Sequence, residues 1–218
     1  MVAVHEAVSR PARAVTRDPA RTRAAILAAA TKEFTAKGLT GARVDAIARR
    51  ARVNKRMIYH YFGGKDGLYL AVLEATYEAI RAAEQDLHLT DRDPVDGMRE
   101  LVLFTWRYFI AHPEFLSLLG TENLHRAAYL RRSKRIRELH SPLVGGLSAL
   151  LERGAAARVF RSGVDPVELY ITIAALGFFY LSNRHTLSTI FGRDLSAPKN
   201  LAARERHIVD VVLDYLKA

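Results

Sequence analysis

Residues 43–62 read RVDAIARRARVNKRMIYHYF, and the reading of this stretch decides the fold. Val44, Ile47 and Ala48 recur at helical spacing over one short segment, and Ile58 and Phe62 do so over the next. Between them Arg52-Val53 makes a tight turn and Asn54 can cap the second segment. Two short helices joined by a three- or four-residue turn form the helix-turn-helix plan, whose second helix enters a major groove. Small Ala48 and Ala51 permit close helix packing, and Ile47, Val53, Ile58 and Phe62 supply a miniature core. Lys55, Arg56, Tyr59, His60 and Tyr61 are left to face outward. Lysine and arginine grip phosphates or read guanine edges, and tyrosine hydroxyls bond phosphate oxygens. Gly63-Gly64-Lys65 then opens a long helix whose free backbone N–H groups, with Lys65, form a phosphate clamp.

Charge distribution points the same way. The 218-residue chain carries a formal net charge of +10. Residues 1–66 hold 14 basic and 5 acidic residues, whereas residues 67–218 are nearly balanced. Positive charge gathered at one end of a neutral body predicts a polyanionic partner there. Nucleic acid leads, and an anionic membrane surface comes second.

The punctuation elsewhere is helical. Asp18-Pro19, Asp93-Pro94 and Asp165-Pro166 place an N-cap acid before a first-turn proline. His112-Pro113 and Ser141-Pro142 show the same pattern. No stretch alternates apolar and polar residues long enough for a strand, so an all-α protein is expected. Helices are predicted near 19–37, 44–50, 54–61, 65–87, 94–111, 113–130, 134–153, 166–189 and 198–216. Ser141-Pro142 either kinks the 134–153 helix or divides it. Residues 1–17, with Arg10, Arg13 and Arg17, read as a flexible basic arm. Residues 18–64 form the expected DNA-binding head and residues 65–218 a helical body.

In these motifs the chain resembles the TetR/AcrR family of bacterial one-component transcriptional repressors. The resemblance spans about residues 22–73: a first helix through Phe34 to Gly38, then VDAIARRA, the turn, IYHYF, and GKDGLYLAVL. It implies a three-helix head joined by a long fourth helix to a body that binds a small effector and dimerises through its last two helices. It also implies DNA contacts at Arg43, Arg52, Asn54, Lys55, Arg56, Tyr59, His60, Tyr61 and Lys65. Three positions depart from the family pattern. Arg52 stands at a turn position usually held by glycine, Arg43 where a serine or threonine is common, and Gly64 in place of a serine cap.

A head that reads one half-site needs a second copy, because paired half-sites lie about one helical turn apart. The 166–189 and 198–216 helices are the expected homodimer interface, and the operator is expected to be palindromic double-stranded DNA. Aromatic and polar residues of the middle helices provide candidates for an unknown small-molecule effector. Trp106 leads, with Asn123, Tyr170 and Phe178 behind it. Glu122-x-x-His125 has a ligand-like spacing but no second copy, so a surface ion pair or polar pocket wall is expected instead.

Cysteine is absent, which excludes disulfides, thiolate metal sites and cysteine nucleophiles. No phosphate-binding glycine loop, dinucleotide fingerprint or nucleophile elbow appears. No catalytic residue, metal site or cofactor is expected. The longest nearly unbroken apolar run, Leu169 to Leu181, is too short to span a bilayer, and no secretory h-region opens the chain, so a cytoplasmic protein is expected. The rival readings are a ligand-independent architectural DNA-binding protein and a helical enzyme acting on an anionic substrate.

Overall fold

The computed structural model describes residues 18–218, without the side chains of residues 140 and 141. The predicted basic arm at residues 1–17 lies outside the described residues. Ten α-helices are present among them: α1 (Pro19–Gly41), α2 (Val44–Ala51), α3 (Lys55–Phe62), α4 (Lys65–Gln85), α5 (Pro94–Ala111), α6 (Pro113–Leu124), α7 (Lys134–Ala156), α8 (Pro166–Ser182), α9 (Arg184–Phe191) and α10 (Pro198–Leu216). A short 3-10 turn covers Leu130–Arg132.

The proline-preceding acids cap their helices as expected. The Asp18, Asp93 and Asp165 carboxylates accept first-turn amides of α1, α5 and α8 at 2.8–3.2 Å, each cap contributing about 1 kcal/mol. Gly38, at φ 64°, breaks the regular winding of α1 just after Lys37, a conformation open to glycine without a Cβ penalty.

Two boundaries differ from expectation. The helix predicted over 113–130 stops at Leu124 because Arg126 and Ala127 turn left-handed. The buried Glu122 carboxylate then accepts the amides of Tyr129 and Leu130 at 3.3 and 3.0 Å, holding the chain in its new direction. Glu122 is thus a backbone anchor, neither a surface ion pair nor a pocket wall. The 166–189 segment is two helices, α8 and α9, parted at Asn183. There the side-chain amide donates back to the Phe179 carbonyl at 2.9 Å. Pro142 lies inside α7 without dividing it.

Helices α1–α3 and the start of α4 pack around Ile26, Phe34, Ile47, Ile58 and Leu68, all essentially inaccessible to solvent. One continuous core runs from there into the body, where α5 is flanked by α7, α8 and α10. Helix α4 belongs to both parts. From Lys65 to Glu84 it extends roughly 28 Å at 1.5 Å per residue. The seam between head and body is aromatic: Phe34 of α1 meets Tyr69 of α4 edge-on at 5.0 Å, and Tyr69 meets Tyr129 at the same distance. Ser117 of α6 also donates to the Thr35 carbonyl of α1 at 3.2 Å.

On helix α10 the apolar residues Leu201, Ile208, Val211, Val212 and Tyr215 are not all covered: Ile208 and Val212 are buried, while Val211 and Tyr215 are exposed. A helix between a core and a free surface carries apolar residues on two faces, and composition alone cannot separate them.

Candidate nucleic-acid interface

The corner between α2 and α3 is built by backbone chemistry. Arg52 adopts φ 55°, ψ 42°, its N–H donates to the Arg49 carbonyl, and the Val53 N–H reaches the Ala48 carbonyl at 3.0 Å. This is a left-handed helix end of the kind glycine usually supplies. An arginine there costs about 1 kcal/mol. Asn54 caps α3 as predicted, accepting the Arg56 amide at 2.9 Å. Ile58 faces the core, with Met57 and Phe62 packed partly against it.

The rest of α3 faces outward. Arg56, Tyr59 and His60 are exposed, and Tyr61 is half-buried beside the His60 ring. The Arg56 side chain makes no ion pair or hydrogen bond with the described residues. Lys55 differs: its Nζ lies 2.8 Å from Asp45 Oδ1 on α2. Their hydrogen bond holds the Asp45 carboxyl below its usual range and the Lys55 ammonium above its own. Asn54 spends its side-chain oxygen on the cap. Arg43 and Arg52 are exposed at the two ends of α2. Lys65 begins α4 and donates to the Thr40 carbonyl at 3.1 Å, tying the end of α1 to the start of α4.

Gly67 sets the α3–α4 angle. A Cβ built there would stand 1.9 Å from the Phe62 carbonyl oxygen, so only glycine lets the two helices meet so closely. Glu33 organises the base of the same head. Its buried carboxylate contacts Lys37 at 2.8 Å and Arg50 at 4.0 Å, and accepts the Arg43 amide at 3.5 Å. The Lys37 hydrogen bond chiefly keeps its pKa low.

The residues singled out for an effector do not converge. Trp106 is buried between helices with its ring edge-on to Tyr180 at 5.7 Å, and Phe178 packs against the same core. Asn123 is exposed near the end of α6, its amide bonded to the Leu119 carbonyl. Tyr170 alone reaches an interior polar centre: its hydroxyl accepts Arg81 Nη2 at 2.8 Å. Arg81 and Glu84, both nearly inaccessible, contact each other at 2.8 Å. They line a cavity of about 180 Å³ with Leu89, Leu139, Pro142 and Leu143. Sequence reading missed this pair. The available signal was two charges in phase with the apolar positions Leu73, Tyr77 and Ile80 of α4.

Among the described residues no helix is long and apolar enough to cross a membrane, and no group of three acidic or histidine side chains is placed to hold a metal ion. Two short helices meeting at a left-handed corner, the second with a cationic, aromatic outer face, define a helix-turn-helix DNA-binding regulator with an all-helical body. Comparison with known proteins agrees. Residues 26–72 match the model described as bacterial regulatory proteins, tetR family, and residues 94–212 match the tetracyclin repressor-like C-terminal domain. The chain is 43% identical over 197 residues to the HTH-type transcriptional repressor NicS of Pseudomonas putida, covering 90% of this chain and 93% of that one. It is 36% identical over 139 residues to the HTH-type transcriptional repressor SCO4008 of Streptomyces coelicolor, covering 63% and 69%. The crystal structure of the transcriptional regulator FadR from Bacillus subtilis in complex with stearoyl-CoA superposes with a TM-score of 0.64 at 15% identity, covering 88% of this chain and 98% of that one. The chain belongs to the TetR family of transcriptional regulators.

Proposed function

We propose that the protein is a dimeric repressor that grips a palindromic operator with α3 of each protomer and releases it when a small molecule occupies the body. The observation carrying this reading is the outer face of α3, where Arg56, Tyr59 and His60 stand exposed within a head that holds ten basic and three acidic residues. Arg56 and His60 are assigned to base edges. Tyr61, Lys65, Arg43 and Arg52 are assigned to phosphates. Asn54 orients α3, and Lys55 reaches DNA by leaving Asp45. Residues 18–64 act as the reading head and residues 65–218 as the sensing and pairing body.

Dimerisation is assigned to α8 and α10. Val167, Ile171 and Phe179 are exposed on α8, and Val211 and Tyr215 on α10. An apolar surface of this kind on a regulator that must span two half-sites fits a two-fold interface. Release would work through α4, which runs from the α3 junction to the cavity. An effector favouring a different tilt of α4 changes the separation of the two heads, and operator must reciprocally weaken effector binding. Such a protein works in the cytoplasm, where the operator is, and performs no catalysis.

Selection of bound sequences from random duplex DNA tests the reading, with a single two-fold-symmetric site as the expected result. Uniform coating of DNA would replace it with an architectural role. On the selected operator, Arg56→Ala should change preference among base variants by about 1–3 kcal/mol, whereas Lys65→Ala should weaken all sequences alike. Phe179→Asp should yield monomers in sedimentation and lose the tight two-site complex.

A further inference from the structure

Arg81 is 3% exposed, yet its Nε and Nη1 donate no hydrogen bond; the single one it makes to a side chain goes from Nη2 to Tyr170. Glu84 Oε2 stands 2.8 Å from Nη1, also without a hydrogen bond. The ion pair with Glu84 offsets part of the desolvation cost of this buried guanidinium, and Nε still lacks an acceptor. Gln85, His88 and Thr90 add polar groups to the remaining wall, which is otherwise apolar, from Leu89, Leu139, Pro142, Leu143 and Gly146. Arg153 of α7 clamps the rim by donating to the carbonyls of Leu89 and Arg92 at 3.0 and 2.7 Å. A cationic donor in a mainly apolar pocket with a few polar groups is what a small organic acid requires. The volume of about 180 Å³ is that of a single-ring ligand, since cavities of roughly 150 Å³ hold one benzene.

We infer that this cavity binds a small aromatic or short aliphatic carboxylate, its anion held by Arg81 with Tyr170 steadying the guanidinium, and that Glu84 takes up one proton as the ligand enters. The inference rests on the reading of the body as an effector domain and names the chemical class of the effector. Charge balance demands the proton. With Glu84 ionised the Arg81–Glu84 pair is already neutral, and a second carboxylate would leave an uncompensated buried charge. Burial pushes Glu84 up to about 7 even with Arg81 adjacent, so the proton is available near neutrality. Around the pair stand Tyr77 on α4, Tyr108 on α5 and Tyr170 on α8, and His88 lies at the rim. From α7 the lining residues are uncharged and Arg153 stands at the rim. His88 is therefore the rival proton acceptor, and it is exposed.

Calorimetry on the full chain with benzoate and hexanoate, and with benzamide and hexanamide as neutral counterparts, tests this. Titrations at pH 6, 7 and 8 in buffers of different ionisation enthalpy count the protons. At least one carboxylate should bind ten-fold or more tighter than its amide. Proton uptake should rise from near zero at pH 6 to near one at pH 8, with affinity falling towards ten-fold per unit above pH 7. Glu84→Gln should keep carboxylate binding and abolish both the uptake and the pH dependence, whereas His88→Gln should leave them intact. Equal binding of acid and amide, no binding by either acid, or carboxylate binding at pH 8 without uptake would overturn the inference. So would uptake that survives Glu84→Gln. Operator affinity in the same samples separates the two readings. A bound carboxylate that leaves it unchanged supports this site and removes the release mechanism. An amide that lowers it while binding as tightly as the acid overturns this site and keeps the mechanism.

Discussion

Lys55 Nζ and Asp45 Oδ1 are 2.8 Å apart, joining the reading helix to the helix before it through two solvent-exposed charges of the head. The pair neutralises a cation at the point where DNA would approach. It sits in solvent, so it adds little to stability and is best regarded as a brake on binding. Asp45→Asn should tighten binding to all DNA and steepen the salt dependence of log K by about one unit as Lys55 becomes free for a phosphate. Fluorescence anisotropy across a salt series measures both; an unchanged slope would remove Lys55 from the DNA face.

Arg52 occupies a left-handed corner that favours glycine. Arg52→Gly should raise stability by about 1 kcal/mol in urea denaturation, through relief of the Cβ penalty. The same variant should bind operator more weakly with a salt slope smaller by about one. Gain in stability with no change in DNA binding would mean that Arg52 is tolerated at the corner without contributing there.

Gly67→Ala sets helix propensity against packing. In an unhindered helix the change would stabilise by up to about 1 kcal/mol. Here the new methyl would meet the Phe62 carbonyl oxygen at 1.9 Å, a backbone atom that cannot swing aside. Overpacking of this kind costs about 1–3 kcal/mol, so the variant should melt at lower temperature and lose operator affinity. A higher melting temperature would show that the α3–α4 corner gives way freely.

Glu84 predicts a specific pH profile of stability. Its pKa is raised by burial to about 7 in the folded protein, above the value near 4.5 that an exposed glutamate has. Its contribution is therefore full below about 4.5 and is lost as pH rises through about 7. Relative to Glu84→Gln, the wild type should lose stability over that window, by on the order of 1–3 kcal/mol, and run parallel above it. Glu33 acts in the opposite sense: the Lys37 hydrogen bond lowers its pKa, so its contribution is present at neutral pH and disappears on acidification. Denaturation curves at half-unit intervals, with Glu33→Gln alongside, would separate the two carboxylates; a wild type parallel to Glu84→Gln throughout would mean that Glu84 is not desolvated.

The head was legible because its determinants are local. Asn54 caps the residues beside it, Ile47 and Ile58 show their phase within eight-residue helices, and a surplus of cations within 66 residues needs no tertiary contact to be seen. The acid–proline caps at 18, 93 and 165 are equally short-range. These features determine a helical chain with a cationic helix-turn-helix at one end. Burial of Arg81, Glu84, Glu33 and Glu122 was decided elsewhere. A charge on an apolar helical phase can face a neighbouring helix, a ligand or water, and the packing partner chooses. Tyr170 lies 89 residues from Arg81 in sequence, Asp45 ten from Lys55, and Val211 differs from Val212 only in which side of α10 meets α5 and α8. Sequence by itself therefore determined the elements and the sign of the surface that meets DNA. Only the tertiary structure decided which charges were stripped of water, because desolvation depends on neighbours that the chain brings together at long range.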